Sequence, residues 1–236
     1  MTAVLFDLDG TLMDTPRVIV RSLRHILGTE SQRYDDTDLA RHVGRPLDVI
    51  MTDLFPEASA ADAEEKKQEF REAFRSATVP DARELVFANV HELLTQLENE
   101  GIATAIVTSK VTSSALELLE AGQIRSPFAA VIGHDQASSG KPAPDLALLA
   151  AARLRAEPSE CLVVGDSPDD MRMGVAAGMF TIGVTWGVGD HDTLRTSGAS
   201  TIATTGEELQ SSLLAAADQN TRRGHGTTSK EPMPYA

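Results

Sequence analysis

Apolar residues fall along the chain in short, near-continuous runs, separated by longer stretches with helical spacing. The runs are Ala3–Leu8, Thr104–Thr108, Ala129–Gly133, Cys161–Val164, Thr181–Thr185 and Thr201–Ala203. All are short enough for strands. Their continuity, in place of strict alternation, predicts strands covered on both faces, as in a parallel sheet. The stretches between them carry helix-end signals. Asn89 with Glu92 predicts a capping box on a helix running to Glu100 and stopped by Gly101. Pro144 predicts the first turn of a helix reaching Arg155, and Ser167-Pro168 the start of one that Gly178 ends. Strand and helix alternate from residue 86 to 215, which predicts an α/β fold with a doubly wound parallel sheet.

Residues 15–84 break the alternation, because only helical patterns occur there. Thr15-Pro16 opens a helix with Val18, Ile19, Leu23, Ile26 and Leu27 along one side. A short helix ends at Gly44, and another begins near Pro46 with Val49, Ile50 and Leu54. The last, Ala60 to Arg75, is strongly charged and sets Phe70 and Phe74 on one face. An insertion directly after the first strand of such a sheet lies over the carboxyl ends of the strands, where these folds bind ligands. It is either a lid or a passive decoration. The expected organisation is a core of residues 1–14 and 85–218, a helical insertion over 15–84, and a disordered tail over 219–236. The tail is polar, rich in Gly and Pro, and aperiodic.

Charge narrows the partners. The chain has 236 residues, with 21 Lys plus Arg against 35 Asp plus Glu and a net charge of −14. Nucleic acid and anionic membranes would repel it, so neither is expected as a partner. Cys161 is the only cysteine, so no intrachain disulfide and no multi-cysteine metal site can form. The amino-terminal stretch has no basic segment before its apolar run, and no apolar stretch approaches the ~18 residues of a membrane span. A soluble, cytoplasmic protein is expected.

The candidate chemistry sits at the ends of the apolar runs. Asp7 and Asp9, two apart on extended backbone, point the same way and repel, which favours a shared proton or a bound cation. Gly10 permits a sharp turn and Thr11 adds a hydroxyl. Thr108 and Ser109 end the second run at a strand-to-helix turn able to hold phosphate oxygens, although such residues also cap helices. Lys141 lies just before Pro142 and Pro144, where a solvated loop lysine is the ordinary alternative. Asp166 follows the fourth run, and Asp169 and Asp170 suit a helix amino terminus. Four carboxylates, Asp7, Asp9, Asp166 and Asp170, against one lysine need a cation. All-oxygen ligands favour Mg2+, and Mg2+ beside a lysine suits a phosphoryl group.

These motifs resemble the phosphatase branch of the haloacid dehalogenase superfamily. Asp7-Leu8-Asp9-Gly10-Thr11, Thr108, Lys141 and Gly165-Asp166-Ser167-x-x-Asp170 match its four motifs in order. Gly10-Thr11-Leu12-x-Asp14-Thr15, Gly44-Arg45-Pro46-Leu47, Lys141-Pro142-Ala143-Pro144-Asp145 and Val184-Thr185-Trp186-Gly187 resemble its phosphoglycolate phosphatase-like and pyrophosphatase-like group. Ser109 departs from the Asn of many relatives. The resemblance implies a Rossmann-like core with a helical cap domain, and an Mg2+-dependent phosphatase acting through an aspartyl-phosphate. Asp7 would be the nucleophile and Asp9 the acid and base. Asp7, the Asp9 carbonyl and Asp166 would hold the metal. Thr108 and Lys141 would bind the phosphoryl oxygens, with Thr11 and Ser109 assisting. Thr11 is expected to buttress the loop and Asp9, and Asp170 to orient Lys141 or a metal-bound water. Arg45, between a glycine and a proline, is expected to meet a second anionic group of the substrate. The substrate would be a small phosphorylated metabolite, phosphoglycolate-like or pyrophosphate, and the protein a monomer or homodimer. A phosphotransferase or sugar-phosphate mutase of the same superfamily is the alternative. A non-catalytic phospholigand-binding protein is a further one, disfavoured because no acidic motif residue is missing.

Overall fold

The computed structural model describes residues 3–224. Six strands form one parallel sheet: β1 (Ala3–Phe6), β2 (Ala103–Val107), β3 (Phe128–Ile132), β4 (Cys161–Gly165), β5 (Phe180–Val184) and β6 (Thr201–Ala203). Their order is β3-β2-β1-β4-β5-β6, with all neighbouring pairs parallel. Between β1 and β2 lie α1 (Pro16–Leu27), α2 (Asp36–Ala40), α3 (Leu47–Leu54), α4 (Ala60–Thr78), α5 (Ala82–Leu85) and α6 (Val90–Asn99). The remaining helices follow strands: α7 (Thr112–Ala121), α8 (Asp145–Leu154), α9 (Pro168–Ala176), α10 (His191–Thr196) and α11 (Gly206–Gly224).

Continuous apolar strands give both faces a core. Val4 and Phe6 join one buried cluster, while Ala3 and Leu5 join the other. The first cluster extends into the insertion through Ile19, Met51, Phe70 and Phe74. The chain leaves β1 for β2 on one side and returns to β4 on the other. That makes the β1/β4 boundary the topological switch point, where open α/β sheets bind ligands. Phe6 is level with both Ile106 and Val164, so β1, β2 and β4 end side by side.

Several local expectations change. β1 ends at Phe6, not Leu8. Asp7 still donates its N–H to Val164 at 2.9 Å, and the chain then turns away through Gly10 at φ +82°. The Asn89 side chain caps nothing; its amide fills the space that a Cβ on Gly206 would take. The second insertion helix ends at Ala40, with a turn continuing to Gly44. The expected tail begins at Gln219, yet α11 continues to Gly224. Residues 225–236 lie outside the described residues. Among the described residues, no helix is long and apolar enough to cross a membrane.

Candidate active site

The residues singled out at three strand ends converge. Asp7 follows β1, Thr108 follows β2, and Asp166 follows β4. Lys141 reaches in from the loop before α8. Its Nζ donates to Asp7 Oδ1 at 2.6 Å and to Asp170 Oδ1 at 2.5 Å, and all three residues are buried. Burial works against the lysine charge. Asp170 and Asp7 outweigh it, so Lys141 holds its proton more tightly than an ordinary lysine. At Asp7 burial wins instead: opposed by Lys141 and reinforced by Asp170 and Asp9, it pushes the pKa up to about 7.

Asp166 is raised well above the carboxylate range by burial first, then by Asp7 and Asp170. Two donors fix it. Thr11 Oγ1 donates to Oδ1 at 3.0 Å, and the Val188 N–H donates to Oδ2 at 2.8 Å. Side chains at Gly10 or Gly187 would run into this carboxylate, so both glycines are needed for the close approach. The expectation that Thr11 supports Asp9 is therefore corrected. The turn at Gly10 carries Thr11 across to Asp166, and Thr15 takes the place beside Asp9. Thr15 Oγ1 donates to Asp9 Oδ1 at 2.5 Å and makes no cap on α1.

Asp9 Oδ2 meets Lys110 Nζ at 3.1 Å, and the same ammonium lies 3.8 Å from the centre of the Phe74 ring. Neither Lys110 nor Thr15 was assigned a site role from the sequence, although Thr15 closes the segment 10–15 that carries the resemblance. Lys110 follows Thr108-Ser109 directly, but a loop lysine carries no pattern that separates it from a solvated one. The helix start at Ser167 was legible, and the structure builds it as a capping box with Asp170. Ser167 N–H and Oγ both donate to Asp170 Oδ2, and Ser167 Oγ accepts from the Asp170 N–H. This leaves Asp170 Oδ1 for Lys141.

A cavity of about 140 Å3 opens between these strand ends and the insertion. Asp7, Asp9, Thr108, Ser109 and Lys110 line its floor. Residues of α1, α3, α4 and α7 line most of the remainder, with His42, Gly44, Arg45, Val79, Val111 and His134 from the segments between them and the strands. Lys141, Asp166, Asp170 and Thr11 stand behind the floor. Ser109 Oγ is buried beside the cavity without a hydrogen-bond partner. Arg45 reaches the cavity wall, but its Nη1 is held by Asp53 Oδ2 at 2.6 Å, so its charge is already met within the insertion.

A family model described as haloacid dehalogenase-like hydrolase matches residues 4–184. The chain belongs to this family. A protein named "Probable phosphatase IndB" from Dickeya dadantii is 37% identical over 87% of this chain and 90% of its own length. Pyrophosphatase PpaX of Bacillus velezensis is 34% identical over 82% of this chain and 88% of its own. A crystal structure of a hydrolase from Pseudomonas syringae superposes with a TM-score of 0.80 at 27% identity, covering 91% of this chain and 99% of that one. The haloacid dehalogenase-like fold explains why acids from separate strands meet at one edge. Asp7, Asp166 and Asp170 each offer an oxygen within 4.8 Å of the others. A buried, all-oxygen set of this charge fits a hard divalent cation. Asp170 already serves Lys141 and Ser167, which leaves Asp7 and Asp166 as the freer ligands.

Proposed function

We propose that this enzyme is an Mg2+-dependent phosphatase that moves the phosphoryl group of a small phosphate ester, or of pyrophosphate, to Asp7 and then to water. The contrast between two carboxylates on one turn carries this reading. Asp7 sits on Lys141 among other acids, whereas Asp9 has its own hydroxyl and ammonium partners. Both face the cavity. One is suited to attack and the other to proton transfer.

In the first step an Asp7 oxygen bonds to phosphorus as the bond to the leaving oxygen breaks, and Asp9 gives that oxygen its proton. In the second, water attacks the phosphorus of the aspartyl-phosphate and passes a proton to Asp9. The bond from phosphorus to Asp7 breaks, and inorganic phosphate leaves. Lys141, the Thr108 hydroxyl and the unpartnered Ser109 hydroxyl receive the phosphoryl oxygens. Asp7, Asp166 and the Asp9 carbonyl would hold Mg2+, which when bound offsets the repulsion between carboxylate and phosphate. Thr11 and Val188 orient Asp166, and Asp170 orients Lys141.

The test uses p-nitrophenyl phosphate without any added acceptor. Phosphate release is expected with Mg2+ and is lost on exhaustive chelation. After rapid acid quench, mass spectrometry is expected to find phosphate on Asp7, and Asp7→Asn neither turns over nor carries it. Phosphate on another residue, or activity without a divalent ion, overturns the mechanism. Turnover that requires a second phosphate acceptor would instead indicate a phosphotransferase.

A further inference from the structure

We infer that the site prefers phosphate esters whose alcohol part is apolar and about the size of one aromatic ring, and disfavours substrates carrying a second anionic group. This rests on the phosphatase reading above and deepens it. Charge balance and the shape of the cavity support it separately.

Every Lys and Arg lining the cavity already faces a carboxylate of the chain. Arg45 meets Asp53 at 2.6 Å, Arg71 meets Glu64 at 3.3 Å, Arg75 meets Glu117 at 2.6 Å, and Lys110 meets Asp9 at 3.1 Å. His42, also on the wall, is held toward its neutral form by burial and then by Arg45. Asp48 and Glu117 line the same space, paired with Lys67 and Arg75. A carboxylate or second phosphate on the leaving group would have to displace one of these carboxylates from its cation and leave it unpaired beside the new anion. Like charges brought together in this way disfavour a ligand.

Much of the remaining wall is apolar, interrupted by Thr78, Ser114 and His134, whose Nδ1 is buried without a hydrogen-bond partner. Ile19, Leu47, Ile50 and Leu118 line it together with Phe70 and Phe74, whose rings lie 6.1 Å apart with their planes 13° from parallel. An apolar cavity of about 150 Å3 lined by Leu, Ile and Phe takes up benzene. The space here is about 140 Å3 and must also hold the phosphoryl group at its floor, so the attached group is limited to about one ring. It begins beside the chemistry, because Lys110 bridges the Phe74 ring and Asp9. A phosphoryl group at Asp7 therefore places the attached group against these side chains, where aromatic contacts add to simple burial.

Benzyl phosphate and phosphoglycolate decide the matter. Both are primary alkyl phosphates, and they differ in bearing a phenyl ring or a carboxylate on the same carbon. With saturating Mg2+, kcat/KM for benzyl phosphate is expected to exceed that for phosphoglycolate and for pyrophosphate by on the order of tenfold or more. In a folded Phe74→Ala variant, the benzyl-to-phosphoglycolate ratio is expected to fall about threefold to tenfold. Phosphoglycolate or pyrophosphate turned over as well as benzyl phosphate, or a ratio unmoved in the variant, overturns the inference and leaves the phosphatase reading standing. No turnover of any of these or of p-nitrophenyl phosphate overturns both. The comparison on the unaltered chain stands whether or not the variant folds.

Discussion

Asp7 and Asp9 are two residues apart and differ because their neighbours differ. Asp7 is buried among acids, and its pKa of about 7 means that the folded chain takes up a proton well above the usual carboxylate range. The folded state binds the proton more tightly than the unfolded state, whose reference value is 3.8. The associated stabilisation is present at low pH and is lost as pH rises from about 4 through about 7. Asp166 adds to the effect in the same direction. Asp7→Asn removes the titration. In metal-free buffer, its melting temperature relative to the parent chain is expected to rise steadily between about pH 5 and pH 7.5. Parallel profiles in a thermal-melt series would show that the burial of Asp7 is not linked to stability in this way.

Helix α9 does two tasks through one motif. Its capping box satisfies backbone groups at the helix start, and it also turns Asp170 so that Oδ1 meets Lys141. Ser167→Ala removes the cap, which costs about 1 kcal/mol, a shift of about 2–4 °C in a chain of this size. Asp170 would lose its hydroxyl partner as well, so kcat is expected to fall by a larger factor than KM rises. Ser167→Thr, which can still cap, is expected to restore most of both. A purely structural role would lower the melting temperature without moving kcat. The same comparison explains why α1 behaves differently. Thr15 has the residue type of a cap, but the turn at Gly10 brings Asp9 beside it, and the hydroxyl goes to that carboxylate.

At the scale of the whole molecule, an acidic protein must receive an anion. The net charge of −14 opposes the approach of a phosphate dianion from solution. Attraction is left to Lys141, proposed to receive the phosphoryl oxygens, and to the cation that the buried acids would hold. Salt screens the distant charges more than the buried ones. Raising KCl from about 20 to about 200 mM is therefore expected to increase kcat/KM for a phosphate ester about twofold or more, while kcat stays nearly constant. A steady fall with salt would mean that local cations outweigh the field of the chain. The insertion also acts at this scale. It lines one side of the cavity with the apolar sides of α1, α3 and α4 and pairs most of its lining charges within itself, while Arg75 reaches across to Glu117 of α7.

The sequence alone determined the parallel sheet, because strands buried on both faces must be apolar at successive positions, as Leu162–Val164 are. It also determined the candidate acids, because Asp7, Asp9 and Asp166 stand directly after such runs, and a strand carries whatever follows it to the edge of the sheet. The helical insertion was legible from its spacing. Partner choice was not. Whether Thr11 serves Asp9 or Asp166, whether Arg45 faces a ligand or Asp53, and whether Lys110 is solvated or sits on Asp9 depend on where separate elements meet. Side chains far apart in the chain, such as Thr11 and Asp166, are brought within hydrogen-bond reach only by the order in which β1 and β4 lie side by side. Residue spacing records what a single element can do, and only packing decides which neighbour it does it with.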